Sequence, residues 1–478
     1  METQNTRHII QHQFDIVREL LDKQRVVEHM VHSQAQPRHE LVEALVRRQS
    51  LAELENRVQR MHAADIAYIL ENLPPEDRLL VWQHVRDDQA GDVLLEVSDG
   101  LRWPLLAATD PQKLITQLAQ LDTDDLAYLA EELPPQVLQA CLQGMSEQER
   151  DFFTSSISYA EHSVGSLMSN EMVIVYESDA VTEVLTKLRE VEEFPDQLDK
   201  LFVCDRRGVL RGVLTIQSVL RHAPVAKVID VMAKDVVRFG PEDSARDAAL
   251  AFERYGLVSA PVVNDRGKVI GRLTVDVMMD YLRDRNSEEL LALAGLRRDE
   301  DLFATIWQGA RNRWPWLLIN LMTAFIASRV IGFFEDSIVQ LIALATLMPI
   351  VASVGGNTGN QTTALVIRTL ALGQLTKNNF ALLTRRELGV SIINGLFLGS
   401  IVALFAWLFY AKITLAIVIA AALILNLLIA AGVGLFVPYT LHRLGRDPAL
   451  GSSILITATT DSMGFFIFLG LAAIFLVK

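Results

Sequence analysis

The sequence predicts a multidomain membrane protein: an α-helical superhelical N-terminal domain, a tandem α/β pair, and a transmembrane domain of five helices. Three observations carry this prediction. Five apolar stretches follow Arg313, each long enough to cross a bilayer. Two internal repeats organise the residues before them. Charge is segregated: from residue 301 onward there are 11 Lys+Arg and 6 Asp+Glu, whereas residues 1–300 carry 33 and 52. The boundaries expected are 1–159 for the acidic helical domain, 160–285 for the α/β pair, 286–313 for an amphipathic connecting helix and 314–478 for the membrane part.

The first repeat sets the N-terminal domain. "ADIAYILENLPPEDRLL" at 64–80 returns as "DDLAYLAEELPPQVLQA" at 124–140. Each copy is an amphipathic helix halted by Pro-Pro, the pattern of stacked short helices. "QAGDVLLEVSDG" at 89–100 reads as a degenerate middle copy.

The second repeat spans 165–285. "VGSLMSNEMVIV" matches "VIDVMAKDVVRF", and "VCDRRGVLRGVLTIQSVL" matches "VNDRGKVIGRLTVDVMMD". Each unit reads as a short strand, a helix, two strands turning at "DRRG" or "DRG", and a final helix. This pattern resembles a tandem CBS pair, and the resemblance implies an adenosine nucleotide such as ATP as ligand. In such pairs a Thr or Ser with an Asp three residues on holds the ribose. Here Thr215 is followed at that spacing by Ser218 and Thr274 by Val277, with Asp276 one position early.

The acidic half argues against nucleic acid as a partner, since phosphate would be repelled, and suits attraction of cations. Cys141 and Cys204 show no metal-ligand spacing, which fits a reducing compartment. "METQNTRHIIQHQFD" has no apolar signal-peptide core, so the first half is expected in the cytoplasm.

The apolar stretches run at about 314–334, 338–372, 388–410, 413–440 and 449–477. With five crossings, Arg311, Arg313, Lys377, Arg385, Arg386, Arg443 and Arg446 fall on one side and Glu335, Asp336, Lys412 and Lys478 on the other. The positive-inside pattern then sets a cytoplasmic N-terminus and an exported C-terminus. Asp461, in "ITATTDSMGFF", lies near mid-membrane depth, where an acid usually faces a water-filled path or a partner. An ion pair with an Arg, or a cap on a broken helix, is the structural alternative.

The second stretch contains "MPIVASVGGNTGNQTTALVIRTLALG" at 348–373. Gly355 and Gly359 have GxxxG spacing, which serves close helix packing. Packing does not account for Asn357, Thr358, Asn360, Gln361, Thr362 and Thr363 beside them. Neutral oxygens with one carboxylate suit a hard cation that keeps most of its water, and Mg²⁺ fits best; Mn²⁺ and Ca²⁺ stay open on chemistry alone. A two-fold dimer would supply a second carboxylate.

These features together resemble the MgtE family of magnesium channels over almost the whole length. The most specific parts are "GGNTGNQ" in the second span and "DPAL…TDSMG" leading into the fifth. The resemblance implies a homodimer in the lipid bilayer of the bacterial inner membrane, with a hydrated Mg²⁺ held in a pore between the two membrane halves. By motif position it assigns Asp461 as the pore carboxylate and Gly356 and Asn360 as pore-lining positions. Ser353 stands where a further Gly is common, and Thr457 where an Ala lies one turn before the Asp.

The resemblance also implies regulatory Mg²⁺ bound between acidic faces, closing the pore when cytosolic Mg²⁺ is high. Asp276, Asp280, Glu288, Glu289 and Asp447 match acidic family positions. Arg283 and Arg285 stand where carboxylates are common and Val277 replaces another, so Mg²⁺ sensing is expected to be weaker than in more acidic members. An ion-coupled carrier for Mg²⁺, Co²⁺ or Mn²⁺ would call for more buried ionisable groups. A CBS-regulated membrane sensor without transport is a further alternative. HExxH, GxSxG and GxxxxGK[ST] are absent, which argues against an enzyme.

Overall fold

The computed structural model describes residues 10–23, 25, 49, 51–191, 194–293, 295–296, 303–371, 374–375, 377–446, 448 and 452–476. The chain divides into two compact units, Met1–Arg285 and Asn286–Lys478.

The first unit begins with stacked short helices: α1 (Ala63–Glu71), α2 (Pro75–Trp82), α3 (Ala90–Glu96), α4 (Asp99–Ala108), α5 (Pro111–Leu118), α6 (Thr123–Leu129), α7 (Pro135–Gly144) and α8 (Glu147–Ser156). The Pro-Pro pairs start helices as well as stopping them. Pro74 and Pro134 are N-caps, and Pro75 and Pro135 occupy the first helical position, where no amide hydrogen is needed. The apolar faces of these helices meet in one core that includes Ile66, Leu70, Leu94, Leu105, Leu118 and Leu126.

The first and middle segments share a buried arginine contact. Arg78 donates from Nε to the Leu70 carbonyl at 2.9 Å, and Arg102 donates to the Leu94 carbonyl at 2.8 Å, each eight residues back. Each bond satisfies a helix-end carbonyl that its own helix cannot reach. Arg102 also bonds the Val97 carbonyl at 3.1 Å and pairs with Asp99 and Glu132.

The α/β pair follows. β1 (Ile174–Tyr176) runs parallel to β2 (Lys200–Cys204), which pairs antiparallel with β3 (Leu210–Thr215). α9 (Val181–Glu190) and α10 (Ile216–Arg221) complete the first copy. A short helical turn, α11 (Val228–Val231), leads into the second. There, α12 (Ala245–Tyr255) precedes the antiparallel β4 (Ser259–Val263) and β5 (Val269–Thr274). A single parallel bridge, Phe239 to Val262, stands where the first strand would be. The copies are laced at their turns: Leu210 donates to the Gly267 carbonyl at 2.9 Å and Val269 to the Gly208 carbonyl at 3.2 Å. Both glycines have left-handed backbones, φ 80° and 73°, which the DRRG and DRG turns require.

The expected helix over 286–313 is divided. Helix α13 (Val275–Leu293) starts directly after β5 and is followed by Gly295, whose φ of 72° is a left-handed conformation that does not continue a helix. Thr305 then caps a new helix, α14 (Ile306–Phe333), by accepting from the Gln308 amide. Residues 286–293 therefore continue a helix begun in the α/β pair, and 306–313 open the first long apolar helix.

After α14 come α15 (Glu335–Gln340), α16 (Ala343–Ala371), α17 (Lys377–Tyr410), α18 (Ile413–Arg443) and α19 (Ser452–Phe475). Among the described residues four helices are long and apolar enough to cross a membrane: Ile306–Phe333, Asn379–Tyr410, Ile413–Arg443 and Ser452–Phe475. The remaining expected span, α16, is 29 residues long, but its Gly, Asn, Gln and Thr residues dilute its apolar character. Helix α18 packs against α16, α17 and α19, and α14 packs on α19. Leu344 and Val351 of α16, Ile419 and Leu423 of α18, and Phe468 and Leu469 of α19 form the core of this unit.

Candidate functional site

Helix α16 has two faces of different chemistry. Val351, Gly355, Gly359, Thr362, Thr363 and Val366 are buried, whereas Ser353, Asn357 and Gln361 are exposed and Gly356 and Asn360 half-buried. Ser353, Gly356, Asn357 and Asn360 are spaced as one helical stripe. The GxxxG pair and the polar residues thus do separate jobs on opposite faces.

The packed face explains the glycines. A Cβ at Gly355 would collide with the Asn426 amide, and one at Gly359 with Ile456. On the facing helix, a Cβ at Gly434 would stand 2.6 Å from the Gly359 carbonyl. Thr363 donates to the Gly434 carbonyl at 3.1 Å, which ties α16 to α18.

Helix α19 repeats the division. Ser452, Ile456, Thr460, Gly464 and Phe468 form its buried stripe, beside which Thr457 is exposed and Asp461 half-buried. Asp461, Thr457 and Ser453, one turn apart, face a cavity of about 440 Å³. Asn320, Thr323 and Trp316 of α14 stand across it, and Arg313 also lines it.

The structure brings some of the expected residues together and leaves others apart. Asp461 and Thr457 share the cavity. Gly356 faces α19, with Thr460 Oγ1 3.8 Å from where its Cβ would be. Ser353, Gly356 and Asn360 are not among the lining residues of the Asp461 cavity, whose opposite wall is α14. Within one chain the polar stripe of α16 and the carboxylate of α19 therefore form two adjoining surfaces.

Of the acids expected to regulate, Asp280 is paired with Arg283 at 3.3 Å, and Arg283 also reaches Asp284 at 3.7 Å. Burial raises the Asp280 carboxyl above its usual range, with Asp284 and Asp276 adding repulsion against the pull of Arg283. Asp276 lies in the first turn of α13, and Glu288 and Glu289 are half-buried further along it. Asp447 lies outside the described residues. Among the described residues no group of three or more His, Cys, Asp or Glu is arranged to hold a metal ion. Thr215 caps α10, accepting from the Ser218 amide at 3.1 Å and donating to its hydroxyl at 3.0 Å.

Three features escaped the sequence reading. Asn426, near the middle of α18, is fully buried and donates to the Val351 carbonyl at 2.9 Å. Glu387 of α17 is buried and accepts from Thr362 at 3.2 Å. In the first unit, burial pushes the Asp125 carboxyl up to about 8, with the charges of Asp124, Asp122, Asp92 and Glu171 adding to it. Burial also takes Asp124 up to about 6. Acids at a helix start normally read as dipole partners, which hid this cluster. A single Asn in an apolar run such as "LILNLLIAAG" was the signal available for Asn426.

Three family models match the chain: MgtE, divalent cation transporter, over residues 348–471; MgtE intracellular N domain over 61–162; and CBS domain over 164–224 and 228–284. A curated relative, the magnesium transporter MgtE of Bacillus subtilis, is 28% identical over 90% of this chain and 96% of its own. The magnesium transporter MgtE of Thermus thermophilus is 28% identical over 88% and 98%. Among solved structures, the cytosolic domain of the Mg²⁺ channel MgtE in complex with ATP covers 49% of this chain and 98% of its own, at 26% identity and a TM-score of 0.45.

Helical domain, CBS pair and apolar helices with a polar seam define a class: membrane transporters for divalent cations. Within that class the chain belongs to the MgtE family.

Proposed function

We propose that the protein conducts Mg²⁺ inward across the bacterial inner membrane, through a path lined by Asp461 and Thr457 of α19 and by Ser353, Gly356 and Asn360 of α16. The carrying observation is the unpacked polar stripe on α16, at membrane depth, beside a carboxylate that opens onto a cavity. Oxygen groups left exposed there need water, an ion or another chain. A second copy would cover the stripe and add a second Asp461, which makes the homodimer the conducting unit. In this reading α16 also crosses the membrane, as the second of five spans, the first 285 residues are cytoplasmic and the C-terminus is outside. The relatives' names as magnesium transporters support the choice of ion.

The N-terminal domain, the CBS pair and the segment 286–313 form the gate in this reading. Asp276, Asp280, Glu288, Glu289 and Asp447 carry its response to Mg²⁺, weakened because Arg283 offsets part of the charge of Asp280. An adenosine nucleotide such as ATP is the ligand that the resemblance to CBS pairs suggests, and in the first copy Ser218, bonded to Thr215, stands where the ribose-holding acid would be. Equilibrium dialysis with ATP tests that point.

Asp461→Ala tests the path directly. Mg²⁺ uptake into magnesium-deficient cells, measured with the variant present in the membrane at wild-type levels, is expected to fall to background. Unchanged uptake would sink the assignment.

One observation favours a second reading, an ion-coupled carrier: Glu387 is a buried acid hydrogen-bonded to α16. Discrete single-channel steps that persist in Glu387→Gln would exclude it.

A further inference from the structure

We infer that Asn426 is the positioning residue that fixes the separation of α16 and α19, and with it the shape and ion preference of the path they line. The inference rests on the path proposed above and adds a residue that never touches the ion. Asn426 sits on α18, is fully buried, and lies among apolar neighbours such as Leu423 and Leu427. Its Nδ2 donates to the Val351 carbonyl of α16 at 2.9 Å.

The same amide is cradled by a glycine from each path helix. A Cβ on Gly355 of α16 would collide with Nδ2, and one on Gly464 of α19 would stand 2.7 Å from it. Gly355 adjoins Gly356, and Gly464 lies one turn after Asp461. One side chain therefore meets both helices at the level of their path residues. Its Oδ1 is buried with no hydrogen-bond partner. A buried acceptor left unpaired is a cost that a Leu of similar size would not carry. An amide kept at that cost, where glycines have cleared room for it, sets geometry and not stability.

The test uses the full-length protein in phosphatidylethanolamine–phosphatidylglycerol liposomes, with Mg²⁺ and Co²⁺ uptake measured on the same preparation. The ratio of the two fluxes does not depend on how much protein folds. Asn426→Leu is expected to lower Mg²⁺ flux about tenfold, the scale of one lost buried hydrogen bond, and to shift the Co²⁺ to Mg²⁺ ratio about threefold. Asn426→Ala, smaller than the native side chain, inserts without displacing either glycine and is expected to shift the ratio in the same experiment. Adding Gly355→Ala to Asn426→Ala returns the lost volume but not the hydrogen bond, so the altered ratio is expected to persist.

A wild-type ratio in Asn426→Ala, or its recovery in the double variant, overturns the positioning role. Asp461→Ala is run alongside to keep the two claims apart. If it is silent while the Asn426 variants match wild type, the path stands and this inference falls. If Asp461→Ala itself conducts normally, the path reading fails.

Discussion

Arg283 holds its guanidinium 3.3 Å from the carboxylate of Asp280, one turn back on α13. An arginine so placed does part of what a bound cation would do, since it relieves repulsion among Asp280, Asp276 and Asp284. Both side chains are substantially exposed, so the pair is weak and its effect on ion sensing is graded.

Arg283→Ala is therefore expected to sharpen the response to Mg²⁺. Loss of an exposed pair corresponds to about fivefold or less in the Mg²⁺ concentration that protects residues 1–285 from protease. Limited proteolysis across a Mg²⁺ series measures it. Full protection of the wild type at low-millimolar Mg²⁺ would remove the premise that this chain senses weakly.

Asp125 is expected to make the first unit pH-sensitive. Its folded carboxyl is pushed up to about 8 from an ordinary value of 3.8, so the folded state holds the proton more tightly. That contribution is fully present below about pH 4 and is lost as pH rises towards 8. Protection of α6 amides in the full-length protein, taken as the ratio to the intrinsic exchange rate at each pH, is expected to fall over this range without Mg²⁺. Asp125→Asn should flatten the profile, and an unchanged slope would contradict the assignment.

Arg102 ties three elements of the helical domain through carbonyls of Leu94 and Val97 and the acid Glu132. Arg102→Ala leaves Glu132 and two carbonyls without that partner, a loss of roughly 3 kcal/mol by the scale of broken buried pairs. Tryptophan-monitored urea unfolding should show the midpoint of this domain moving down while Mg²⁺ flux in the absence of denaturant is retained.

At Asp461 the charge can be separated from the shape. Asp461→Asn keeps the side chain's size and removes its charge, so Mg²⁺ uptake is expected to fall by at least about tenfold, since one unit charge at this depth contributes more than a neutral hydrogen bond. Asp461→Glu is expected to retain more flux than Asn. Equal flux in the two variants would show that charge is not the operative property.

Much of this architecture was legible in the chain. The Pro-Pro repeat, the DRRG and DRG turns and the run of apolar segments are local signals: the turns form as implied, the Pro-Pro pairs open helices as well as closing them, and four of the apolar segments form helices long and apolar enough to cross a membrane. Asp461 stands out in the sequence as an acid in an apolar run, and the structure sets it on a cavity. Less legible was the division of "GGNTGNQ" between two faces, since the segment alone does not say which neighbours the helix will meet.

Local sequence set the succession of short helices, α/β repeat and apolar helices and the chemistry available along α16 and α19, because these depend on backbone propensity and on local apolar period, whereas the break near Gly295 was not read from it. Tertiary structure alone decided which side of α16 packs and which stays open, that Asn426 lies between Gly355 and Gly464, and that Asp125 is desolvated among other acids. Those outcomes depend on contacts between residues distant in the chain. The free energy of burying a polar group is set by the partners that surround it, and sequence spacing does not specify them.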